Sequence, residues 1–154
     1  MSVAIVPADF SDSRLLDLIR MHVAAARENS PPGFSFALDL SGLTHPAVSF
    51  FVIQAGNAIA GMGALKELTP HHGEIKSMRT APAFLRQGLA AMMLDHLIAL
   101  GRARGYNRIS LETGHNAAYE AANKLYVKRG FERGPVFADY APSDFNICYH
   151  LDLG

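Results

Sequence analysis

Residues 73–105 read GEIKSMRTAPAFLRQGLAAMMLDHLIALGRARG and join a strand-like run to an amphipathic helix through a glycine-containing turn. Apolar residues then recur at the 3.6-residue spacing of a helix with one buried stripe, namely at Leu89, Met92, Met93, Leu97 and Leu100. Residues 85–88 include no Ser, Thr, Asp or Asn, the residue types that cap a first helical turn. The sequence therefore predicts a helix whose opening amides have no side-chain partner.

This uncapped helix start is suited to binding an anion. Its amides lie beside the positive end of the helix dipole, and the small residues Gly88 and Ala90 keep side-chain bulk away from them. Arg86 adds a fixed positive charge. Such a turn can hold a phosphate or pyrophosphate group. The alternative is an ordinary tight turn whose amides face water.

The turn and a second motif downstream together resemble the GNAT superfamily of acetyl-coenzyme A-dependent N-acetyltransferases. The family's first signature is Arg or Gln, two residues, Gly, one residue, then Gly or Ala, often with a preceding Pro; Gly88, Ala90 and Pro82 fit it. The second signature, A-x-x-L-Y-x-x-x-G-F, resembles residues 122–131, which read ANKLYVKRGF. The two signatures occur in the expected order, and the resemblance covers the chain from about Phe50 onward.

The resemblance implies both a fold and a reaction. The fold is α/β, a mixed α+β sheet in a single domain over residues 1–154, mostly antiparallel and twisted, with about six to seven strands and helices on both faces. The reaction moves the acetyl group of acetyl-coenzyme A (acetyl-CoA) to a primary amine of a small molecule, for example an amino acid, or of a peptide. The acceptor attacks directly in a ternary complex, and no metal is expected.

Local patterns also favour a mixed sheet with helices on both faces. Strands are predicted at residues 3–6, 48–54, 58–65, 74–80 and 108–112, with a last pair from Phe131 to near Leu151. Gly56-Asn57 predicts a hairpin turn and Gly105 a left-handed helix end. Helices are expected after a cap at Ser11 or Asp12, with a stripe at Leu15, Leu18, Ile19 and His22 or Val23, then briefly near residues 38–40, and last at 117–129.

The resemblance also implies where acetyl-CoA would bind. The expected contacts come from the strand end, the helix start and the second motif: Met78, Arg79, Thr80, Arg86, Gln87, Gly88, Leu89, Ala90, Ala91, Tyr119 and Ala122. A bulge near residues 78–80 would free one strand amide for the oxyanion. Leu85 replaces the usual Arg or Gln of the first signature, so a side-chain phosphate contact must come from Arg86 or Gln87. Tyr119 replaces an Asn often found before the second.

Two residues match catalytic positions of the family. Tyr126 matches a tyrosine that protonates the coenzyme A thiolate, and a phenol with a pKa near 10 is a reasonable acid for that task. Glu74 matches the general-base glutamate of histone-acetylating members. The alternatives are a tyrosine with its ring buried and its hydroxyl wet and a solvated carboxylate at a strand start.

Charged residues near these positions are candidates for the acceptor site. Lys76, Arg79 and Glu112 are assigned to it. Because a buried cation without a partner is costly, at least one of the two cations is expected to face the acceptor pocket, and Arg79 can hold a carboxylate through two hydrogen bonds. The acceptor would then be an amino acid or a similar zwitterion. The alternative is that Glu74, Glu112 and Asp139 pair with the cations internally.

Composition limits the partners. The 154 residues include 14 acidic and 14 basic side chains with no basic cluster, which argues against nucleic acid as a partner. No apolar run approaches the roughly 20 residues of a membrane span. The single cysteine, Cys148, excludes an internal disulfide, and a reducing cytoplasm is the simplest location. A homodimer is compatible with the sequence.

Three further patterns suggest other chemistry. Gly61-Met62-Gly63 is similar to the start of a dinucleotide-binding fingerprint, but lacks its third glycine and indicates a closely approached strand. His71-His72 with Glu74 could ligate a metal or simply form a turn. Cys148 and His150 share a strand face and could form a nucleophile pair, or Cys148 could be inert. The function alternatives are therefore a non-catalytic coenzyme A- or nucleotide-binding sensor module and, more remotely, a Cys148-dependent hydrolase.

Overall fold

The computed structural model describes residues 2–28 and 40–154. One sheet contains seven strands in the order β1-β2-β3-β4-β5-β7-β6. The strands are β1 (Val3–Pro7), β2 (Val48–Ala55), β3 (Ala58–Thr69), β4 (His72–Thr80), β5 (Arg108–Gly114), β6 (Glu132–Gly134) and β7 (Asn146–Asp152). The helices are α1 (Ser13–Glu28), α2 (Leu40–Leu43), α3 (Leu89–Ala103) and α4 (Glu120–Lys128).

The predicted elements are largely confirmed. Asp12 caps α1, because its side chain accepts a hydrogen bond from the Arg14 amide at 2.9 Å. Gly56 and Gly105 adopt the left-handed conformation at the hairpin and after α3, with φ of 59° and 82°. The last helix was expected over 117–129, but a short 3-10 turn at Ala117–Tyr119 precedes α4. The short helix expected near residues 38–40 falls mostly outside the described residues, and α2 begins at Leu40.

Apolar side chains cover both faces of the sheet. On one face, α1 and α2 bury Leu15, Leu18, Ile19 and Leu43 against β2 and β3. On the other face, α3 and α4 pack over the central strands, with Leu89, Met93, Leu94, Leu97 and Tyr126 buried. Burying these stripes is the main favourable term in folding. The expectation of helices on both faces is confirmed.

The sheet divides between β4 and β5. These two strands form the one parallel pair among the described strands, and every other neighbouring pair is antiparallel. They pair only from His72 to Glu74 and from Arg108 to Ser110. Beyond this point residues 75–80 pair with β3 and residues 111–114 pair with β7. A wedge therefore opens between the two strands.

A β-bulge interrupts β4 beside this wedge. In the β3–β4 register, Met62 faces Arg79 and Ala64 faces Lys76, so Gly63 is opposed by two residues, Ser77 and Met78. Ser77 has a φ of 58°, in the left-handed region. The bulge expected from the family resemblance is thus present, one residue earlier than residues 78–80. Because residues facing each other across strands share a sheet face, the extra residue places Lys76 and Arg79 on the same face.

The glycines of β3 allow close packing rather than nucleotide binding. A Cβ on Gly63 would lie 2.6 Å from Met93 Cγ, closer than van der Waals contact permits. A Cβ on Gly61 would lie 3.1 Å from the Arg79 carbonyl oxygen. The interpretation of residues 61–63 as a closely approached strand is confirmed.

Candidate active site

The start of α3 has the predicted open geometry. The helix begins at Leu89, and Gly88 precedes it in the left-handed conformation with φ of 77° and no side-chain capping hydrogen bond. Arg86 is also left-handed, with φ of 63°, and is exposed. A Cβ at Gly88 would meet no atom within 4 Å. The turn therefore presents its backbone to open space, as an anion-binding helix start requires.

A cavity of about 150 Å³ lies in the wedge between β4 and β5. Seven of the predicted site residues line it: Glu74, Lys76, Met78, Glu112, Tyr119, Ala122 and Tyr126. Arg79 and Thr80 do not line it and lie at the end of β4, and residues 86–91 lie at the turn and start of α3. The structure therefore brings the predicted catalytic residues together with Lys76 and Glu112 of the predicted acceptor residues. Arg79 and the predicted phosphate turn lie outside this lining.

Tyr126 projects from α4 into this cavity. Its ring is packed against Phe131 and Tyr149, with ring centroids 6.0 and 5.9 Å away. Only 7% of the residue is exposed. Burial raises the pKa of Tyr126 to about 12, and the nearby Tyr149 adds to the shift. The phenol therefore holds its proton at neutral pH, but it is a weaker acid than the value near 10 expected from the sequence.

Glu74 is buried, so the interpretation as a solvated carboxylate is wrong. The residue is 2% exposed. Its Oε2 accepts a hydrogen bond from the Tyr140 hydroxyl at 2.5 Å and lies 3.2 Å from Lys76 Nζ. Lys76 Nζ also donates to the Tyr140 hydroxyl at 2.7 Å. Burial and the Glu74 charge raise the pKa of Tyr140 well above its usual range, so that hydroxyl stays protonated.

The contacts among Glu74, Lys76 and Tyr140 identify the partner of Lys76, one of the two predicted acceptor cations. The Lys76 side chain is 10% exposed and is neutralised by Glu74, as the internal-pairing alternative expected. Removing one partner of such a buried pair would destabilise the protein, because the other charge would be left buried without a partner. Asp139, the third expected partner, is exposed.

Glu112 has a different environment from Glu74. Its Oε2 is buried without a hydrogen-bond partner among the described residues. Burial raises the pKa of Glu112 to about 7, although a hydrogen bond from Asn146 and the charge of Lys76 act in the opposite direction. A carboxyl group with a free oxygen and a pKa near neutrality can exchange a proton with a bound molecule.

Arg79 does not line the cavity but bonds to His22 of α1, which does. Its Nε donates to His22 Nδ1 at 3.2 Å, and His22 lines the cavity. Burial, followed by the charge of Arg79, lowers the pKa of His22 to about 4, so this histidine is neutral at pH 7. Burial also lowers the pKa of Arg79.

Several cavity residues were missed by sequence reasoning. Tyr140 and Phe145 come from the connection between β6 and β7, where no motif marks them. His22 was assigned only as an alternative member of the apolar stripe of α1. A histidine at a position of the apolar stripe of α1, where a polar residue replaces an apolar one, is the signal that could have identified it.

Cys148 and His150 do not form a nucleophile pair. His150 Nδ1 is 2.7 Å from Ser110 Oγ, and its Nε2 donates to the Pro135 carbonyl at 2.8 Å. Both ring nitrogens are therefore occupied. Burial, with the charge of Glu112, raises the pKa of Cys148 to about 11, which disfavours the nucleophilic thiolate. The reading of Cys148 as an inert buried residue is the one that these contacts favour.

His71 and His72 lie at the turn between β3 and β4. His72 Nε2 is 2.7 Å from Ser110 Oγ, so this histidine is engaged in the same buried chain as His150. Over residues 2–28 and 40–154, no group of three or more His, Cys, Asp or Glu side chains is arranged to hold a metal ion. Within the same residues, no helix is both long and apolar enough to span a bilayer.

Comparison with known proteins identifies relatives of this chain. A family model described as the acetyltransferase (GNAT) family matches residues 15–131. The chain is 42% identical over 132 residues to the uncharacterized N-acetyltransferase YedL of Escherichia coli (strain K12), covering 86% of this chain and 83% of the relative. It is 44% identical over 132 residues to the uncharacterized N-acetyltransferase YsnE of Bacillus subtilis (strain 168), covering 86% and 87%.

Solved structures share the fold over nearly the whole chain. A Klebsiella pneumoniae protein provisionally classed as an acyl-CoA N-acyltransferase superposes with a TM-score of 0.81 at 27% identity, covering 99% of this chain and 98% of the other. A GNAT family acetyltransferase from Elizabethkingia anophelis, solved with acetyl-CoA bound, superposes with a TM-score of 0.70, covering 98% of both chains. At 18% identity, the second likeness supports the fold alone.

Proposed function

The chain belongs to the acetyltransferase (GNAT) family, and from this premise we propose that it transfers the acetyl group of acetyl-CoA to a primary amine of a small molecule or a peptide. The acceptor attacks the thioester directly while both substrates are bound. The observation that carries the proposal is the wedge between β4 and β5, which has Tyr126 and two carboxylates on its walls. The uncapped start of α3 is a separate candidate anion site.

The cofactor would lie along the wedge. Its pyrophosphate binds the amides at the start of α3, where Gly88 supplies the left-handed turn. The thioester then lies beside the bulge at Ser77 and Met78, where the strand ladder is interrupted and an amide can meet the developing oxyanion. Tyr126 donates its proton to the departing thiolate.

The acceptor amine must lose a proton, and Glu112 is the better group to receive it. Glu74 was the candidate on the basis of sequence, but its Oε2 is already held by Tyr140 and Lys76. Glu112 lines the same cavity with an oxygen that has no partner among the described residues. A base is most effective when its pKa lies near the working pH. Burial raises the pKa of Glu112 to about 7 and so meets this condition.

Glu112→Gln is expected to lower kcat by about 10²-fold, within the range for a lost general base. For wild type, kcat should fall as the pH drops below about 7, because the carboxylate is the active form and protonation removes it. Glu112→Gln should lose this acidic limb. Steady-state kinetics between pH 5.5 and 8.5 (about the range in which both states are populated) measure the effect.

The matched control replaces the other carboxylate together with its partner. A Glu74→Gln/Lys76→Met double variant removes both buried charges at once and so leaves no unpaired ion. It should keep the acidic limb. If the limb disappears in the double variant and persists in Glu112→Gln, then Glu74 is the base and the assignment to Glu112 is wrong.

The reaction itself is tested by coenzyme A release with a panel of amines. Release that depends on an amine and yields the acetylated amine supports the proposal. Binding of acetyl-CoA without transfer to any amine would instead support the sensor-module alternative. A Cys148→Ala variant should release coenzyme A at the wild-type rate, whereas loss of release would point to the hydrolase alternative.

A further inference from the structure

Arg79 is a partly buried cation with no carboxylate partner among residues 2–28 and 40–154. Its one hydrogen bond there is donated by Nε to His22 Nδ1. That histidine is neutral at pH 7, because burial keeps its pKa low, so it orients the guanidinium without cancelling its charge. The two terminal nitrogens of the fork remain available.

Lys76 differs from Arg79 in having a carboxylate partner. Both cations lie on the same sheet face, because the bulge at Ser77 and Met78 offsets the normal alternation. Lys76 is paired with Glu74 at 3.2 Å. The protein thus neutralises one cation of this face internally and leaves the other desolvated, which is unfavourable unless an anion arrives from outside.

Arg79 does not line the cavity itself, but its neighbours do. It bonds to His22, and Tyr119 is near enough to influence its pKa; both of these residues line the cavity. A guanidinium held at Nε by a fixed acceptor has limited freedom to turn away. Its planar fork matches a carboxylate, which it can hold with two parallel hydrogen bonds.

A complementary charge lies in the cavity that is lined by His22, the hydrogen-bond partner of Arg79. Glu112 contributes a carboxyl group whose Oε2 has no partner in the described part of the chain. The cavity of about 150 Å³ is smaller than the sites of roughly 300–1,000 Å³ that hold drug-sized ligands. One small molecule that carried an amine and a carboxylate could satisfy both groups, if it extended from Glu112 in the cavity to Arg79 beside His22.

We propose that the acceptor is a small amino-acid-like zwitterion, whose carboxylate is bound by the Arg79 fork and whose amine lies at Glu112. The proposal rests on the proposed function, since it names the acceptor of that reaction. His22 is a positioning residue in this arrangement, because it acts on the acceptor only through Arg79.

Matched acceptors test the proposal with the wild-type enzyme. Free amino acids, their carboxamides and the corresponding amines without a carboxyl group differ only in the group that Arg79 would bind. Coenzyme A release should show kcat/KM about 10–100-fold higher for the free amino acid than for its carboxamide, the range for hydrogen bonds to a charged group. Equal or better use of the carboxamide, or of polyamines, would overturn it.

Substitutions of Arg79 test whether the preference for a carboxylate depends on this residue. Arg79→Met should raise the KM for the amino acid about 10–100-fold, leave the KM for acetyl-CoA within about two-fold, and remove the preference over the carboxamide. Arg79→Lys keeps the charge without the fork and should restore part of that preference. Arg133→Met, at an exposed arginine of β6, should match wild type. Arg79 variants that raise the KM for acetyl-CoA instead would assign this arginine to the cofactor.

Failure of this inference differs from failure of the proposed function. If no amine at all releases coenzyme A, the acetyltransferase proposal fails and takes the acceptor with it. If amines without a carboxylate are acetylated well and amino acids poorly, acetyl transfer stands and only the zwitterion is wrong.

Discussion

Replacing Tyr126 by Phe is expected to lower kcat by about 10²–10⁴-fold, with acetyl-CoA affinity nearly unchanged. Tyr126 lines the cavity in which the thioester is proposed to lie, so its hydroxyl is a candidate donor to the leaving sulfur. Its pKa of about 12 ensures that the proton is present at neutral pH. Since Phe preserves the ring contacts with Phe131 and Tyr149, the substitution removes the donor and little else.

The control for this variant is Tyr149→Phe. Tyr149 is also buried, at 4% exposure, and its ring packs on that of Tyr126, but it does not line the wedge cavity. Turnover with the best acceptor and calorimetric affinity for acetyl-CoA should be measured for both variants. Near-normal turnover of Tyr126→Phe, or an equal loss in Tyr149→Phe, would return Tyr126 to a packing role.

Gly88→Val is expected to weaken acetyl-CoA binding by about 10²-fold or more. Gly88 has a φ of 77°, a conformation that a β-branched residue strongly disfavours. The substitution would both distort the turn and place a branched side chain in the open space before the first amides of α3. Losing two charge-assisted hydrogen bonds of about 1.5–3 kcal/mol each would account for a change of this size.

Gly105→Val is the matched control, because the two glycines differ mainly in which end of α3 they flank. Gly105 has a φ of 82°, and a Cβ there would also meet no atom within 4 Å. Both variants should lose similar stability in urea unfolding, and only Gly88→Val should lose affinity in titration calorimetry. Equal affinities in two folded variants would contradict a cofactor site at this turn.

The parts of the site that the sequence predicted are those encoded by neighbouring residues. The uncapped start of α3 follows from Gly88 and from the residue types just before it, because capping is decided within one turn. The second motif places Tyr126 on a helix and Phe131 just after the turn that ends it. The strand boundaries around Gly56 follow from turn chemistry.

The features of the site that the sequence did not predict depend on contacts between residues that are distant in the chain. Lys76 and Arg79 would lie on opposite faces of an uninterrupted strand, and only the bulge opposite Gly63 brings them together. Glu74 looks like a surface residue beside a glycine turn, but its partner Tyr140 lies 66 positions further along the chain. The environment of Glu112 likewise depends on burial by other elements, which no local pattern encodes.

The short junction between β4 and β5 has a consequence for the motions of the protein. It divides the sheet into two antiparallel halves, one before α3 and one after it in the chain, that exchange backbone hydrogen bonds over only three residue pairs. Such halves can open as separate cooperative units at a free-energy cost below that of global unfolding. Acetyl-CoA bound in the wedge would contact both halves and stabilise the closed arrangement of the sheet. Without acetyl-CoA, the sheet is then expected to open most readily between β4 and β5, where the cofactor is proposed to bind.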